Sequence, residues 1–480
     1  MSRLSAKLSF LVLLAGLASQ ARAFSLLGPY AINANDGAVW QVLRIGYNEP
    51  GDIGGPMIAS PNESYRWNTP NVFYAYDRSF LLFFGTRGMQ EVEKAIKILN
   101  DLPPASQLNV DDYPMTAERI NFRAAALGLQ DVKSWTLSTV LEEMGLASPN
   151  RWVYCLRNRY VPGPNRFPVF FTVIRRNFDP ITAAESPYIN GRLWTYIGFV
   201  DSDNLPPGSL TLNTTVDPLD FGRSDPVAAA LDAFAGFGTG SYFNGLTRDD
   251  VGAIKFIYQA PQVNFEAALA GSTNAGGFTP IAGGGGGSPW SIPSTNVVTP
   301  PGTATNANGL VDPVLRPGVD KVTFVRGEYD SILGQFFTPI TYAYVDKFIT
   351  NRVERSQTVI RVITVPDILF TAGDINGPDS PPGIPIATLG RTDTSGWQND
   401  DALGGRAARH AGPGVIQPPI SLIYNDVGFI AVDIIPGVIG PNVMPWFLWG
   451  AFDGTTNDPV VFSQGGNVTL QQVEQLRLGR

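Results

Sequence analysis

LTRDDVGAIKFIY, residues 246–258, reads as a short docked helix whose start is written into the sequence. Thr247 is suited to cap the first turn, and Asp250, three places on, to reach back to it as a variant of the capping box. Val251, Ile254, Ile257 and Tyr258 then fall on one stripe at helical spacing, so the segment is expected to lie on a core. Asp249 and Asp250 carry negative charge where the helix dipole favours it.

Working back from this helix, residues 24–262 mix helical and extended patterns. EVEKAIKIL (91–99) places Val92, Ala95, Ile96 and Leu99 at i, i+3, i+4, i+7, with Glu93 and Lys97 paired on the wet side. SWTLSTVLEEMG (134–145) repeats the spacing with Leu137, Val140, Leu141 and Met144, and Gly145 suits its C-terminal stop. NVFYAYD (71–77), FPVFFTVI (167–174), LWTYIGFV (193–200) and SLTLN (209–213) are rich in β-branched and aromatic residues and read as strands. The block is expected to be α+β.

Working forward, residues 271–309 hold five consecutive glycines, Gly283–Gly287, and almost no charge. So few apolar side chains offset little chain entropy, and a linker over 263–309 is expected. Beyond it, in residues 310–480, KVTFVR, TPITYAYV, TVIRVITV, ISLIYN, GFIAVDI and PWFLWGAF alternate with Gly, Pro, Asp and Asn turns. A β-sandwich-like domain buries such strands naturally. Only TLQQVEQLRL near the end has helical spacing.

Residues 1–23 have the form of a signal peptide: Arg3 and Lys7 precede an apolar run from Leu8 to Ala18, and Ala21-Arg22-Ala23 is a small-x-small cleavage pattern. Export is expected, to the cell surface, the periplasm or the medium, with Phe24 as the first mature residue and no lipid-bearing cysteine. Cleavage would remove Arg3, Lys7 and Arg22 and no acid. Lys plus Arg then falls from 34 to 31 against 42 acids, a net charge of about −11. That balance repels nucleic acid and anionic lipid, so neither is expected as a partner. The most apolar later run, 428–452, is broken by Asp433, Pro436, Pro441 and Pro445 and is expected to be buried β-structure rather than a membrane span. The single cysteine, Cys155, cannot form an internal disulfide and is read as a small apolar core residue.

The wording of 246–258 resembles the closing helix of matrixins, the metzincin branch of zinc proteases. RWNTPNVFYAYD (66–77) resembles their opening tryptophan and first strand, VEKAIKIL their first long helix, and GSLTLN (208–213) the strand before their zinc helix. The resemblance covers most of residues 65–258 and implies a matrixin-like domain. The chain is also similar to uncharacterised large secreted bacterial proteins that share the GYNEPGDIGGPM start (46–57) and the LTRDDVG helix.

A metzincin site needs H-E-x-x-H-x-x-G-x-x-H. Overlaid on LDAFAGFGTGS (231–241), Asp232 falls on the catalytic glutamate and Gly238 on the glycine, but Leu231, Ala235 and Ser241 stand where imidazoles belong. Overlaid on EEMGLASPNRW (142–152), Glu143 is kept, but Glu142, Leu146 and Trp152 replace the histidines. The interval from Ser241 to Leu246 leaves no room for a methionine turn. With His410 the only histidine in the chain, the expectation is a pseudoenzyme with no catalytic residues, no zinc site and no cofactor.

Other chemistries are weaker. His410 lies in a loop-like stretch with no G-x-S-x-G elbow anywhere to supply a serine, and DTSG (393–396) has its glycine one place late for an aspartic protease. GFGTGS (236–241) lacks the lysine of a phosphate loop. DSDN (201–204) and GDINGPD (373–379) offer oxygen for calcium without completing a recognised loop. The expectation is an exported, non-catalytic binding or scaffolding protein whose partner is an extracellular or cell-envelope protein or a glycan. Two alternatives stand beside it. One is a hydrolase using carboxylates such as Asp232, Asp249 or Asp250; the other is a calcium-dependent adhesin or carbohydrate-binding protein.

Overall fold

NVFYAY offers no polar alternation, and a strand of that kind needs cover on both faces. The computed structural model describes residues 24–26, 65–147, 149, 153, 155–160, 170–194 save 176, 180 and 183, 239–266, 268–269, 272–274, 309–311, 314–330, 336–372, 414–416, 418–424, 448–462 and 470–478. Within it, Asn71–Tyr76 is strand β1. Asp77 ends the strand and caps the helix that follows, α1 (Arg78–Asn100), accepting the Phe80 amide at 2.9 Å. The helix is broken once, at Gly85, whose φ of +58° suits glycine and strains other residues. Its expected apolar face, Val92, Ala95, Ile96 and Leu99, is buried. Glu93 and Lys97 do not pair with each other: Glu93 holds Arg326 at 2.6 Å and Lys97 holds Asp101 at 2.7 Å, because each finds a nearer partner off the turn between them.

Strand β2 (Glu118–Ile120) precedes α2 (Val132–Glu143), which Asp131 caps through the Ser134 amide at 3.0 Å. The expected stripe Leu137, Val140, Leu141 and Met144 is buried, and so is the opposite face with Ser134, Thr136, Ser138 and Thr139. A helix covered all round must satisfy its hydroxyls internally. Thr136 donates to the Val132 carbonyl at 2.7 Å and Thr139 to that of Trp135 at 2.8 Å. Strand β3 (Ser241–Phe243) and helix α3 (Arg248–Tyr258) complete this part of the chain.

The remaining strands are β4 (Val263–Glu266), β5 (Ser272–Asn274), β6 (Val314–Pro317), β7 (Thr323–Arg326), β8 (Ile340–Thr350), β9 (Val353–Ile363), β10 (Ile368–Thr371), β11 (Ile420–Ile423) and β12 (Leu448–Ala451). β4 and β5 fall at the head of the stretch read as linker.

The fold is of the mixed α+β class. β1 is an inner strand of a four-stranded parallel sheet, in the order β7-β1-β10-β11, so its neighbours come from beyond residue 310. Val72, Tyr74 and Tyr76 face the helices and pack with Phe80, Phe370 and Leu422 in the main core. Phe73 and Ala75 face the other way, onto Phe337 and Ile363, with Ile340 and Tyr342 closing in. That second layer belongs to an antiparallel sheet, β4-β6-β8-β9-β5, dominated by the long β8–β9 hairpin. The architecture is thus helices on a parallel sheet on an antiparallel sheet, and both sheets draw strands from each side of the glycine-rich stretch. Two sheets do stack, as a sandwich would, but the first is centred on a strand from the amino-terminal block.

Phe24–Leu26 is paired antiparallel with Leu146–Ala147 and Asn177–Phe178. Phe24 packs its ring 5.3 Å from Phe256 of α3. No helix among the described residues is long and apolar enough to cross a membrane.

Candidate functional site

Helix α3 is positioned at both ends by groups the sequence names. At its start the full capping box forms: the Asp250 amide donates to Thr247 Oγ1 at 3.3 Å, while Asp250 Oδ2 accepts the Thr247 amide at 2.8 Å and hydroxyl at 2.6 Å. Both residues are buried. Burial pushes the Asp250 carboxyl up to about 7, against the pull of the two Thr247 bonds. Asp249, also buried, accepts the Asn190 amide, and its own amide donates to Asn190 Oδ1 at 3.3 Å. Asn190 and Gly191 form a two-residue hairpin turn with φ of +44° and +79°, the geometry of a type I′ turn that asparagine-glycine favours. This dipeptide went unread in the sequence; it signals the turn but not its contact with Asp249.

At its far end Tyr258 donates to the Met144 carbonyl at 2.9 Å and accepts the Trp67 amide at 3.4 Å. Trp67 Nε1 donates to the Glu143 carbonyl at 2.6 Å. Trp67, the end of α2 and the end of α3 are therefore locked together, though they lie some distance apart in sequence.

Beneath this clamp sits a buried ionic chain. Arg66 Nε holds Glu266 at 2.7 Å and donates through its other nitrogens to the carbonyls of Ile257, Gln262 and Arg316 at 2.7–2.9 Å. Arg316 in turn holds Asp346 at 3.1 Å. A second buried pair joins Arg361 to Asp367, whose carboxylate also accepts the Phe73 amide at 2.8 Å. These charges cross-link β1, α3 and the antiparallel sheet, each held against an opposite charge, as a buried ion requires.

Of the residues that overlay a metzincin site, Glu142 and Glu143 are buried at the end of α2, and Leu146 is buried in a strand against Leu26. Ser241 opens β3 opposite Ile120. Gly240 before it has a φ of +81° and lies so close to Asn121 and Ala125 that a Cβ would stand about 2.6 Å from them, so this glycine of GFGTGS serves chain packing. Leu231, Asp232, Ala235, Gly238, Trp152, His410 and the stretches 201–204, 373–379 and 393–396 lie outside the described residues, as does the side chain of Cys155. Among the described residues no three His, Cys, Asp or Glu side chains gather as metal ligands.

The described surface contains a cleft of about 350 Å³ between the end of α1, the start of β2 and the turn before α3. Ile98, Leu102 and Leu246 are among its apolar lining, and Asp101, Arg119 and Asn244 stand at its polar side. Comparison with protein-family models, curated proteins and solved structures finds no match.

Proposed function

We propose that the protein is an exported, non-catalytic binding or scaffolding protein built on a matrixin-like arrangement that has lost its metal chemistry. The observation that carries this reading is the use made of the carboxylates at α3. Asp250 is closed into a capping box and Asp249 is closed onto the Asn190 turn, and both are inaccessible to a substrate. A carboxylate acting as base or nucleophile must reach the reacting atom at hydrogen-bond distance, and these two reach backbone instead. Strand β1, helix α1 and helix α3 stand in the order in which the resemblance places residues 66–77, 92–99 and 246–258, which supports this reading. The strand that opens it is sheeted with strands from beyond residue 310, so in this reading the domain is not self-contained. The partner in this reading is a protein or glycan at the cell surface or in the periplasm, in keeping with the export expected from residues 1–23.

The test is the metal content of the purified mature protein, measured alongside a screen for peptidase, esterase and glycosidase activity. The reading predicts substoichiometric zinc and no turnover. One zinc per chain with peptidase activity would overturn it, and turnover abolished by Asp232→Asn would install the hydrolase in its place. Stoichiometric calcium would favour the adhesin.

A further inference from the structure

Asn190 and Gly191 do more than join two short strands, because the same dipeptide holds the start of α3. The Asn190 amide donates to Asp249 Oδ2, and Asn190 Oδ1 accepts the Asp249 amide at 3.3 Å. Asp249 is fully buried, so its carboxylate meets the turn away from water. The remainder of the dipeptide is held by nothing. Asn190 Nδ2 is buried and meets no hydrogen-bond acceptor among the described residues. Gly191 is exposed, and its N–H likewise meets no backbone acceptor among them.

Asparagine followed by glycine carries a reaction of its own. The Gly191 nitrogen, once deprotonated, attacks the side-chain carbonyl carbon of Asn190; the new C–N bond closes a cyclic imide, and the bond to Nδ2 breaks to release ammonia. Water then opens the imide at either carbonyl and leaves aspartate or isoaspartate. The net change is amide plus water to carboxylate plus ammonium, with no oxidant and no second reactant. Glycine leaves the attacking nitrogen unhindered, since no Cβ stands beside it. Ring closure swings the Asn190 side chain towards that nitrogen, and both bonds to Asp249 resist the rotation. The closed turn therefore guards the residue, and opening exposes it.

Either product undoes the contact. Aspartate sets a second carboxylate against the buried one of Asp249, and like charges repel strongly away from water. Isoaspartate adds a backbone carbon to a two-residue turn whose strands pair Ile189 with Arg192 and Tyr188 with Leu193. We propose that Asn190 is a deamidation site: opening of the Asn190-Gly191 turn releases the reaction, and the carboxylate formed opposes reclosure of the turn on α3. The modification runs one way, so it records how often this clamp has opened.

The test incubates the mature full chain in mildly alkaline buffer, with and without urea below the unfolding midpoint, and follows Asn190 and Asn244 by peptide mass. Asn244-Gly245 is the same dipeptide with an exposed asparagine, and it serves as the internal clock. Conversion at Asn244 should change little with urea, whereas conversion at Asn190 should rise about tenfold or more. In converted molecules the Asp249 amide should exchange its hydrogen about tenfold faster or more, and Asn190→Asp should show the same without incubation. Asn190 intact in urea after Asn244 has converted would overturn the proposal, as would a rate at Asn190 indifferent to urea. Equal exchange at Asp249 in converted and unconverted protein would overturn it as well.

Discussion

Asp250 and Asp131 both cap helices from inside the protein, and burial makes each harder to ionise: the first is pushed up to about 7 and the second to about 6 from an ordinary 3.8. The folded state thus holds these protons more tightly than the unfolded chain. Below about pH 3.8 both states are protonated and the groups contribute nothing. As pH climbs from there through 6 and 7 the folded state loses stability, by about 1.4 kcal/mol for each pH unit over which a group is ionised in the unfolded chain and still protonated in the folded one. Above 7 the loss is complete. The urea midpoint should therefore fall between about pH 4 and 7, and Asp250→Asn, which keeps an acceptor for the cap, should flatten the upper part of that fall. An unchanged slope in the variant would contradict this. Thr247→Ala should cost about 1 kcal/mol by removing the other half of the box, and more above about pH 7, because the lost hydroxyl bond favours the Asp250 anion. Arg66→Met should cost more, roughly 3–5 kcal/mol, since it leaves Glu266 buried without its cation; the loss should shrink in acid, where that carboxyl takes up a proton. The capping box was legible in the spacing of Thr247 and Asp250, because it is local. The partner of Arg66 lies two hundred residues away and no local pattern announces it.

At the scale of elements, sequence pattern located helices α2 and α3 and strands β1, β7, β8, β9, β11 and β12; it passed over β2 to β6 and β10, which are short, and it underestimated α1, which starts at Arg78 rather than near Glu91. Periodicity also misjudged α2. One apolar stripe suggested one buried face, yet Tyr424 and Trp449 crowd against Trp135 of α2, and the threonines and serines are enclosed with the leucines. Small hydroxyls satisfied within their own helix look polar in sequence and behave as packing residues. The clamp of Trp67, α2 and Tyr258 is the element-level joint of the candidate site. Trp67→Phe removes the donor to the Glu143 carbonyl and should cost about 1–3 kcal/mol in thermal or urea unfolding; Tyr258→Phe should cost a comparable amount, and the double variant less than the sum, because both bonds hold the same helix end. Strict additivity would mean the two bonds act separately.

Across the whole molecule the strands on either side of the glycine-rich stretch share their sheets. Composition marked that stretch clearly, and a linker usually separates bodies. Sequence spacing carries no record of which strand a distant strand pairs with, so NVFYAYD showed its extended form but not its neighbours from β7 and β10. The consequence for function is a shared framework in which the α3 carboxylates are structural. The most direct test places a specific protease site within Gly283–Gly287 and cuts the folded protein there. Because β1 lies between β7 and β10, the two fragments should co-elute in size-exclusion chromatography and unfold in one transition, and neither should fold when expressed alone. Two fragments that separate and melt independently would contradict this shared framework.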